Sequence, residues 1–491
     1  MAADPRDVRI AELERLLGAA LLRIEQQEAR IAAQEAVIAQ QGARISELEA
    51  QLRSTSRNSS RPPSSDPPGT LPRRQAPTGR KPGGQPGHKG RKRELLPPDK
   101  VSECVVVPAP SRCTGCSGAL LQLPGAPPAR VHQVVELPRF TPHVTQYELH
   151  AGWCAGCNVW RGASLPPGVP EGSFGPRLTA FIALATGRFR LSKRLVQELL
   201  SDVLGVELAL GSVSNLEQGV SSALAAPVQA AREYVQRQPC VHQDETGWWQ
   251  KHTRAWLWVA STAAVAVFVV VKSRGTQVAK RMLGEDFAGV LVSDRWCAYA
   301  WVHALRRQVC WAHLVREFEG FCERGREARR LGELLLSEAS VMFEWWHLAR
   351  DGLLQRATLQ KKMRPLMREV ERLLAEVADV CPKKVAGTAR QILKLKDALW
   401  TYVYVEGVEP TNNRAERDLR HAVLWRKTSF GTHSEDGSRF VERILTAVMS
   451  LRKQQRNVLD YLTEALEAQA HGRAAPSLLP GAEGQLTRAA A

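Results

Sequence analysis

The sequence has no long apolar run and little aromatic character. Aromatic residues make up 6% of its 491 residues, and its longest stretch without a charged residue, residues 255–271, contains 17 residues. A membrane-spanning helix needs about 20 apolar residues, and this stretch is rich in valine, which favours β-strands. The polar start of the chain also lacks the apolar segment of a secretory signal peptide. We therefore expect a cytoplasmic protein with no membrane contact.

Acidic residues are outnumbered by basic ones. The chain has 50 Asp and Glu against 67 Lys and Arg, which gives a formal net charge of +17. Such an excess favours a polyanionic partner, and double-stranded DNA is our first candidate. Residues 54–100 hold eleven basic and three acidic residues in a Pro-, Gly- and Ser-rich context, which predicts a disordered linker. Arg80, Lys81 and Lys89 are candidates there for minor-groove DNA contact; a merely solvated linker is the alternative.

Ten cysteines without a secretory context indicate reduced thiols, so metal binding is favoured over disulfides. Four of them form two Cys-x-x-Cys pairs, Cys113 with Cys116 and Cys154 with Cys157. Four thiolates suit a closed, tetrahedral, structural Zn²⁺ site. The alternatives are a redox pair and unligated thiols. Residues 101–170 are thus predicted to be a zinc-binding module, with strands at 131–137 and 144–149.

A strict seven-residue interval marks the N-terminal segment, residues 1–53. Apolar residues recur at this interval from Ile10 to Leu52, and a second seam is apolar at its ends and contains Gln27, Gln34 and Gln41 in the middle. This pattern predicts a coiled coil and hence a homo-oligomer. A helix folded back on its own core is the alternative.

Residues 171–232 have the apolar spacing of helices. Gly205 interrupts that spacing, and Ser214 with Glu217 resembles a capping box that opens the next helix. A helix, a glycine turn and a capped polar helix suit a DNA-binding helix-turn-helix. A purely structural helical hairpin is equally compatible with the pattern.

Two aspartates, Asp244 and Asp294, lie within or directly after strand-like segments of a predicted catalytic domain, residues 233–435. Strands are predicted at 240–249, 255–261, 265–271, 289–293 and 307–313, and a helix at 276–283. Three strands, a helix and two further strands follow the order of a ribonuclease-H-like core. Residues 317–402 carry only helical spacing, so we expect a helical insertion in this domain. Residues 436–491 are predicted to contain C-terminal helices, with helical, amphipathic spacing over 442–468, and a disordered tail beyond Ala470.

A third carboxylate, Glu416, is predicted to lie on a helix that starts near Asn413, which can cap it. Helical spacing turns Glu416 away from the apolar side. Three converging carboxylates would repel one another unless divalent cations neutralised them. Two Mg²⁺ or Mn²⁺ ions about 3.5–4 Å apart would do so and would stabilise an in-line displacement at phosphate. In the alternative, the aspartates are loop acids and Glu416 is a helix cap.

Several motifs resemble those of the DDE transposases of the insertion-sequence-66 family. They are Gly-Gly-Gln-Pro-Gly-His-Lys-Gly from Gly83, Asp-Glu-Thr from Asp244, Ser-Asp from Ser293, Cys-Trp-Ala-His from Cys310, Thr-Asn-Asn-Arg-Ala-Glu-Arg from Thr411, and Arg426-Lys427. The resemblance covers roughly residues 10–470 and implies that Asp244, Asp294 and Glu416 are the metal-binding triad. The chain departs from it at Arg295-Trp296, where the family usually has Gly-Tyr.

Further candidates lie near the triad. His313 could orient a phosphate or the attacking water, or could be a packed, hydrogen-bonded histidine. Arginine can bind phosphate with two parallel hydrogen bonds, so the strip around Glu416 is predicted to hold DNA; a solvated helix face is the alternative. The candidates in this strip are Asn412, Asn413, Arg414, Arg417, Arg420, Arg426 and Lys427.

The sequence therefore predicts a multidomain α/β protein that acts as a DNA transposase. It would cleave DNA at the ends of an insertion sequence and join the freed 3'-hydroxyl to target DNA. The resemblance implies that accessory transposition proteins take part, and DNA binding would associate the protein with the nucleoid. Two alternatives are a sequence-specific DNA-binding protein with an inactive core and a hydrolytic nuclease that does not join strands.

Overall fold

A computed structural model of the chain describes residues 5–52, 90, 93–120, 125 and 127–481. Most of the predicted linker, including Arg80, Lys81 and Lys89, lies outside the described residues, as do residues 482–491. The chain forms two compact units: residues 71–146 with 198–208 make up the smaller, and all other residues belong to the larger. No helix in the described part of the chain is long and apolar enough to cross a membrane.

The first helix, α1, spans Pro5–Leu52. Its heptad isoleucines expose their side chains; Ile38, for example, is 67% exposed. The helix that the heptad pattern predicts is therefore confirmed. Its pairing with a second helix stays a prediction.

One β-hairpin lies in the part of residues 101–170 that the structure describes. It consists of β1 (Ala151–Cys154) and β2 (Val159–Gly162), which pair antiparallel. The strands predicted at 131–137 and 144–149 are wrong, because neither segment belongs to a β-ladder. Alternation of apolar residues alone did not identify strands here, since a strand also requires a neighbouring strand with which to form a ladder.

Four helices precede the central sheet: α2 (Pro176–Gly187), α3 (Lys193–Leu204), α4 (Leu210–Ala223) and α5 (Ala225–Gln236). The predicted capping box at Ser214 is wrong because α4 already begins at Leu210. Instead, the Lys193 ammonium group donates a hydrogen bond to Ser214 Oγ at 2.6 Å and forms an ion pair with Glu217 Oε2 at 2.9 Å. These two residues therefore link α4 to the start of α3 and do not open a helix.

The larger unit is built on a mixed five-stranded sheet. Its strands are β3 (Cys240–Gln250), β4 (Thr253–Ser261), β5 (Ala266–Val271), β6 (Val290–Ser293) and β7 (Arg307–Val309), and a helix, α6 (Thr276–Leu283), connects β5 to β6. The strand order is β5-β4-β3-β6-β7. The first three strands are antiparallel, β6 is parallel to β3, and β7 is parallel to β6. The predicted element order is confirmed.

The last predicted strand is too long, because β7 ends at Val309. The next helix, α7 (Trp311–Cys322), begins two residues later and buries Trp311, Leu314, Phe318 and Phe321. This spacing of three and four residues is helical. Trp311 and His313 therefore lie in the first turn of a helix.

Residues 317–402 are helical, as predicted. After α7, the segment contains α8 (Arg326–Arg350), α9 (Arg356–Val380), α10 (Lys383–Leu393) and α11 (Thr401–Tyr404). Helix α8 packs against α7 and α9, and α9 packs against α10. These helices share a hydrophobic core with β6 and β7, so the insertion packs against the part of the sheet formed by these two strands.

Three helices complete the larger unit: α12 (Asn413–Ser429), α13 (Glu435–Lys453) and α14 (Val458–Ala470). Helix α12 packs against β3 and β4, and α13 against β5. The helical spacing over 442–468 corresponds to two helices, because Gln455, with a positive φ of 59°, lies between α13 and α14. The tail predicted beyond Ala470 is ordered up to residue 481, where Leu478 is buried in the main core.

Candidate active site

Asp244 lies near the middle of β3, beside the parallel strand β6. Its Oδ1 accepts the backbone N–H of Glu245 at 2.9 Å, which fixes the orientation of the carboxyl group. Burial raises the pKa of Asp244 well above its usual value, and the charges of Glu245, Asp294 and Glu416 raise it further. The three predicted carboxyl groups are therefore close enough to repel one another.

Asp294 reaches the same place through strand pairing. The parallel ladder pairs His242 of β3 with Val292 of β6, and each aspartate lies two residues further along its own strand direction. Asp294 Oδ1 accepts the backbone N–H of Trp296 at 2.8 Å. Burial raises the pKa of Asp294, and the Trp296 N–H partly offsets this increase.

Glu416 lies in the first turn of α12. Burial raises its pKa, Asp294 adds to the increase, and Arg316 opposes it. The predicted capping box is not formed: Asn412 and not Asn413 occupies the N-cap position, and its side chain makes no capping bond. Glu416 Oε1 is buried and has no hydrogen-bond partner among the described residues.

Asn412 fastens the start of α12 to β3. Its Nδ2 donates to the backbone oxygen of Gln243 at 2.9 Å, and its Oδ1 lies 3.2 Å from His242 Nδ1. Burial lowers the pKa of His242 to about 3, so the neutral ring donates from Nδ1 in this arrangement. Asn412 is 1% exposed, which contradicts its predicted contact with DNA. Its contacts hold the start of the helix that carries Glu416 against β3.

The sequence did not single out a network that surrounds Glu245. Arg274 donates to Glu245 Oε1 at 2.8 Å, and the Tyr299 hydroxyl donates to Oε2 at 2.5 Å. Burial and the charge of Asp294 raise the pKa of Glu245 to about 7. Because both oxygens already have donors, Glu245 is a supporting residue of the acidic cluster. The tyrosine lies 54 positions away in the chain, so no local pattern could have found this contact.

The departure from the family pattern at Arg295-Trp296 has structural partners. Arg295 Nη2 donates to Glu317 Oε1 of α7 at 2.7 Å. The Arg274 guanidinium lies over the Trp296 ring, 3.9 Å from its centroid, and Trp296 Nε1 donates to the Arg274 backbone oxygen at 3.2 Å. These contacts hold the turn that carries Asp294.

His313 and Cys310 lie beside Glu416. His313 Nδ1 is 3.6 Å from Glu416 Oε1. Burial and the charges of Arg316 and Arg295 lower the pKa of His313 to about 3, so its ring is neutral at physiological pH. The Cys310 sulfur accepts the Asn412 backbone N–H at 3.1 Å. Cys310, His313 and Glu416 each bring one potential metal ligand atom to within 4.8 Å of the others.

The predicted DNA-binding residues of α12 have two kinds of surroundings. Arg414 pairs with Glu409 at 2.9 Å, and Arg426 donates to Thr246 Oγ1 at 3.1 Å. These two arginines therefore hold the protein together. The other members are exposed and follow one face of the helix at intervals of three, four and seven residues; they are Asn413, Arg417, Arg420 and Lys427.

The two cysteine pairs adopt the same local turn. The N–H of Ser117 donates to the Cys113 oxygen at 2.9 Å, and the N–H of Asn158 donates to the Cys154 oxygen at 2.8 Å. Both donor residues have a positive φ, 61° and 54°. Within each pair, the backbone N–H of the second cysteine lowers the pKa of the first, Cys113 or Cys154. Such turns favour thiolates, while a Zn²⁺ site that includes Cys116 and Cys157 stays a prediction.

Comparisons with known proteins identify the family of the chain. Residues 5–94 match a family of unknown function, DUF6444. The uncharacterized protein y4qI of Sinorhizobium fredii is 25% identical over 248 residues, which are 45% of this chain and 45% of that protein. The chain thus spans about half the length of this curated relative. Residues 171–439, more than half of the chain, match the family described as "Transposase IS66 family". The protein therefore belongs to the IS66 family of transposases.

Proposed function

We propose that the protein cleaves DNA at the ends of an insertion sequence and transfers the freed 3'-hydroxyl to target DNA. The observation that carries this proposal is the convergence of Asp244, Asp294 and Glu416 from three different elements on one partly buried place, where the charges of Asp294 and Glu416 raise the pKa of Asp244. Strand order supports a ribonuclease-H-like core, since an antiparallel meander is followed by two parallel strands next to β3. A buried cluster of like charges is stabilised when cations bind to it.

The donor set fits a hard divalent cation. All three candidate ligands are carboxylates, which Mg²⁺ and Mn²⁺ prefer, and Glu416 Oε1 has no partner among the described residues. We propose that Asp244, Asp294 and Glu416 hold the ions. Bound divalent cations would neutralise the carboxylates, lower the pKa of an attacking water or hydroxyl, and stabilise charge on the phosphate oxygens.

The protein itself contributes positioning. The Glu245 and Trp296 N–H groups orient the carboxyl groups of Asp244 and Asp294. Asn412 fixes the first turn of α12, and the neutral His313 lies against Glu416. Phosphoryl transfer depends mainly on positioning and charge, so His313 is proposed as a positioning residue or as a hydrogen-bond partner of phosphate or water.

DNA would be held outside this centre. The exposed side chains of α12, Asn413, Arg417, Arg420 and Lys427, continue from Glu416 along the helix and are proposed to bind the phosphates of the cleaved strand. The basic linker would add minor-groove contacts through Arg80, Lys81 and Lys89. We assign recognition of the terminal repeats to the zinc-binding module and the helices of residues 171–232, and subunit pairing to α1.

The test combines end DNA, target plasmid and Mg²⁺ with the purified full-length protein. Wild type is expected to nick the 3' ends and to form joined product. Asp294→Asn is expected to lose both reactions and to keep binding the ends, because the substitution removes charge from the metal centre only. Asp286→Asn, on an exposed loop, is the matched control.

Each alternative gives a different result. Nicking without joined product would identify a hydrolytic nuclease. Binding without Mg²⁺-dependent nicking by wild type would identify a DNA-binding protein with an inactive core. Joining by Asp294→Asn at the wild-type rate would overturn the assignment of the triad.

A further inference from the structure

A second potential ligand set meets the acidic cluster at Glu416. It consists of Cys310 directly before α7, His313 in the first turn of α7, and Glu416 in the first turn of α12. One sulfur, one nitrogen and one oxygen ligand atom lie within 4.8 Å of one another. Two helix starts therefore bring three chemically different donors to one point.

Two of these donors are buried, and the nearest cation, the Arg316 guanidinium, lies 4.0 Å from Glu416 Oε1, beyond hydrogen-bond distance. His313 Nδ1 and Glu416 Oε1 lack a hydrogen-bond partner among the described residues, although they are only 3.6 Å apart. A buried polar atom without a partner is costly. A cation bound between them would satisfy both atoms with a single interaction.

The third donor is the sulfur of Cys310. Cys310 is fully buried at the N-terminus of α7. Its sulfur accepts the Asn412 backbone N–H at 3.1 Å. Burial and the charge of Glu416 raise the pKa of the Cys310 thiol, and the Asn412 N–H offsets only part of this increase, so the thiol keeps its proton until a metal ion displaces it. Metal ligands usually have supporting contacts of the kind that Asn412 makes.

The ligand types select the metal. A thiolate together with an imidazole suits Zn²⁺ and disfavours Mg²⁺, which prefers oxygen. Tetrahedral Zn²⁺ holds sulfur at about 2.3 Å and nitrogen or oxygen at about 2.0–2.2 Å, which separates ligand atoms by roughly 3.3–3.8 Å. Because the three atoms lie within 4.8 Å of one another, their separations would need to shorten by about 1.5 Å at most to reach that spacing.

We propose that Cys310, His313 and Glu416 form a Zn²⁺ site that competes with the magnesium centre for Glu416. On binding, Zn²⁺ forms a bond to the Cys310 sulfur and the thiol proton leaves to solvent, so no oxidant or reductant is needed. While Zn²⁺ is bound, Glu416 is not available to Asp244 and Asp294. The site would therefore restrain the reaction proposed above, and this consequence rests on that proposed function.

Metal binding is measured first, without DNA and without reference to activity. Full-length protein, stripped of metal with a chelator, is titrated with Zn²⁺ by calorimetry and with Co²⁺ by absorption of the cobalt–thiolate band. Cys310→Ser and His313→Asn are each expected to bind one equivalent fewer than wild type, or to bind it about 100-fold more weakly. Zn²⁺ held by the two Cys-x-x-Cys pairs is common to all variants and cancels in the comparison.

Cys322→Ser is the matched control, since Cys322 ends the same helix, α7, and belongs to neither set. Circular dichroism establishes that each variant is folded. If Cys310→Ser is not folded, Glu416→Gln serves in its place and must show the same loss. Equal stoichiometry and affinity in wild type and the folded ligand variants would overturn the proposal.

A second measurement tests the competition. Millimolar Mg²⁺ is expected to weaken Zn²⁺ binding at this site in wild type, because both ions use Glu416. Unchanged Zn²⁺ affinity would remove the competitive role. Failure of the proposed transposase reaction is distinguishable from both results, because it would appear as an absence of Mg²⁺-dependent nicking while the Zn²⁺ stoichiometry is unaffected.

Discussion

Glu442 Oε1 of α13 accepts the backbone N–H of Val270 in β5 at 2.7 Å. One turn further along the helix, Thr446 Oγ1 accepts the N–H of Phe268 at 3.0 Å. One turn beyond that, Ser450 Oγ accepts the N–H of Ala266 at 3.1 Å. Strand β5 is the edge of the sheet. Three side chains at helical spacing thus cover alternate N–H groups of an edge strand that would otherwise be open to pairing with another chain.

The first prediction concerns the hydrogen bonds that side chains of α13 accept from the backbone of β5. Thr446→Val keeps the shape of the side chain but leaves the buried Phe268 N–H without an acceptor, so the free energy of unfolding should fall by about 1–3 kcal/mol. Urea unfolding of the purified protein measures the change. Thr186→Val is the control, because the buried Thr186 hydroxyl contacts only carbonyl oxygens of its own helix. An equal loss of unfolding free energy in both variants would show that the hydrogen bond to Phe268 makes no specific contribution to stability.

The sequence predicted the sheet well because its signals are local. Aromatic and β-branched residues mark β4, valines mark β5, and the helix predicted at residues 276–283 coincides with Thr276–Leu283. The sequence also predicted three metal-binding carboxylates, two from their positions within or after strands and one from its position on a helix. The edge cover by α13 was not predictable, since Glu442 and Val270 are 172 positions apart.

The parts of the site that the sequence missed are long-range and buried. The Glu245–Tyr299 bond and the fastening of Asn412 to β3 join segments whose local patterns are unrelated. Asn412 was predicted to be a DNA contact because it precedes a basic helix. Only the fold reveals that the chain enters α12 from the interior, with Trp311 N–H bound to the Pro410 oxygen at 2.9 Å.

The second prediction follows from repulsion within the acidic cluster. Asp244→Asn removes one of the charges that oppose one another, so in chelator-treated protein the melting temperature should rise by about 2–4 °C. Mg²⁺ should raise the melting temperature of wild type and leave that of the variant nearly unchanged. Differential scanning fluorimetry with and without Mg²⁺ measures both effects. Asp286→Asn should behave as wild type, and a lower melting temperature for Asp244→Asn without metal would contradict the repulsion.

The third prediction is a pH dependence. Because the pKa of Asp244 is raised in the folded protein, the folded state holds more protons than the unfolded state between the usual aspartate pKa, about 4, and the raised value. This contribution to the stability of metal-free protein is present at low pH and is lost as the pH rises through that window. Mg²⁺ binds the deprotonated carboxylates, so its stabilising effect should grow with pH over the same range.

Melting temperatures from pH 4.5 to 8, with and without Mg²⁺, test this dependence. His242 and His313 contribute in the opposite sense, because their lowered pKa values make the unfolded state the better proton binder between about pH 3 and 6.5. Both histidine rings are neutral in the folded protein over this whole pH range, and a Mg²⁺ ion near His313 would only lower its pKa further. The difference between the two curves therefore isolates the carboxylates. A Mg²⁺ effect that shrinks with rising pH would contradict the assignment.

The fourth prediction concerns the exposed face of α12. Each phosphate contact contributes about 0.9 to the slope of log affinity against log salt for duplex DNA. Arg417→Ala and Arg420→Ala together should therefore reduce the slope by about 2 and weaken binding of all sequences alike. Fluorescence anisotropy at several salt concentrations measures it. Lys361→Ala, an exposed cation of α9, is the control, and a slope that does not change would indicate a solvated helix face.

The last prediction concerns α1, whose heptad side chains are exposed along the helix. Coiled-coil association would bury them against a second copy, so Ile31→Lys with Ile38→Lys should convert the oligomer to a monomer at micromolar concentration, because two charges per chain would enter the seam. Light scattering coupled to size exclusion measures the mass. The control replaces Ala29 and Ala36 with lysine, on the helix face opposite both heptad seams, and should retain the oligomer. A wild-type protein that is already monomeric would contradict self-association through α1.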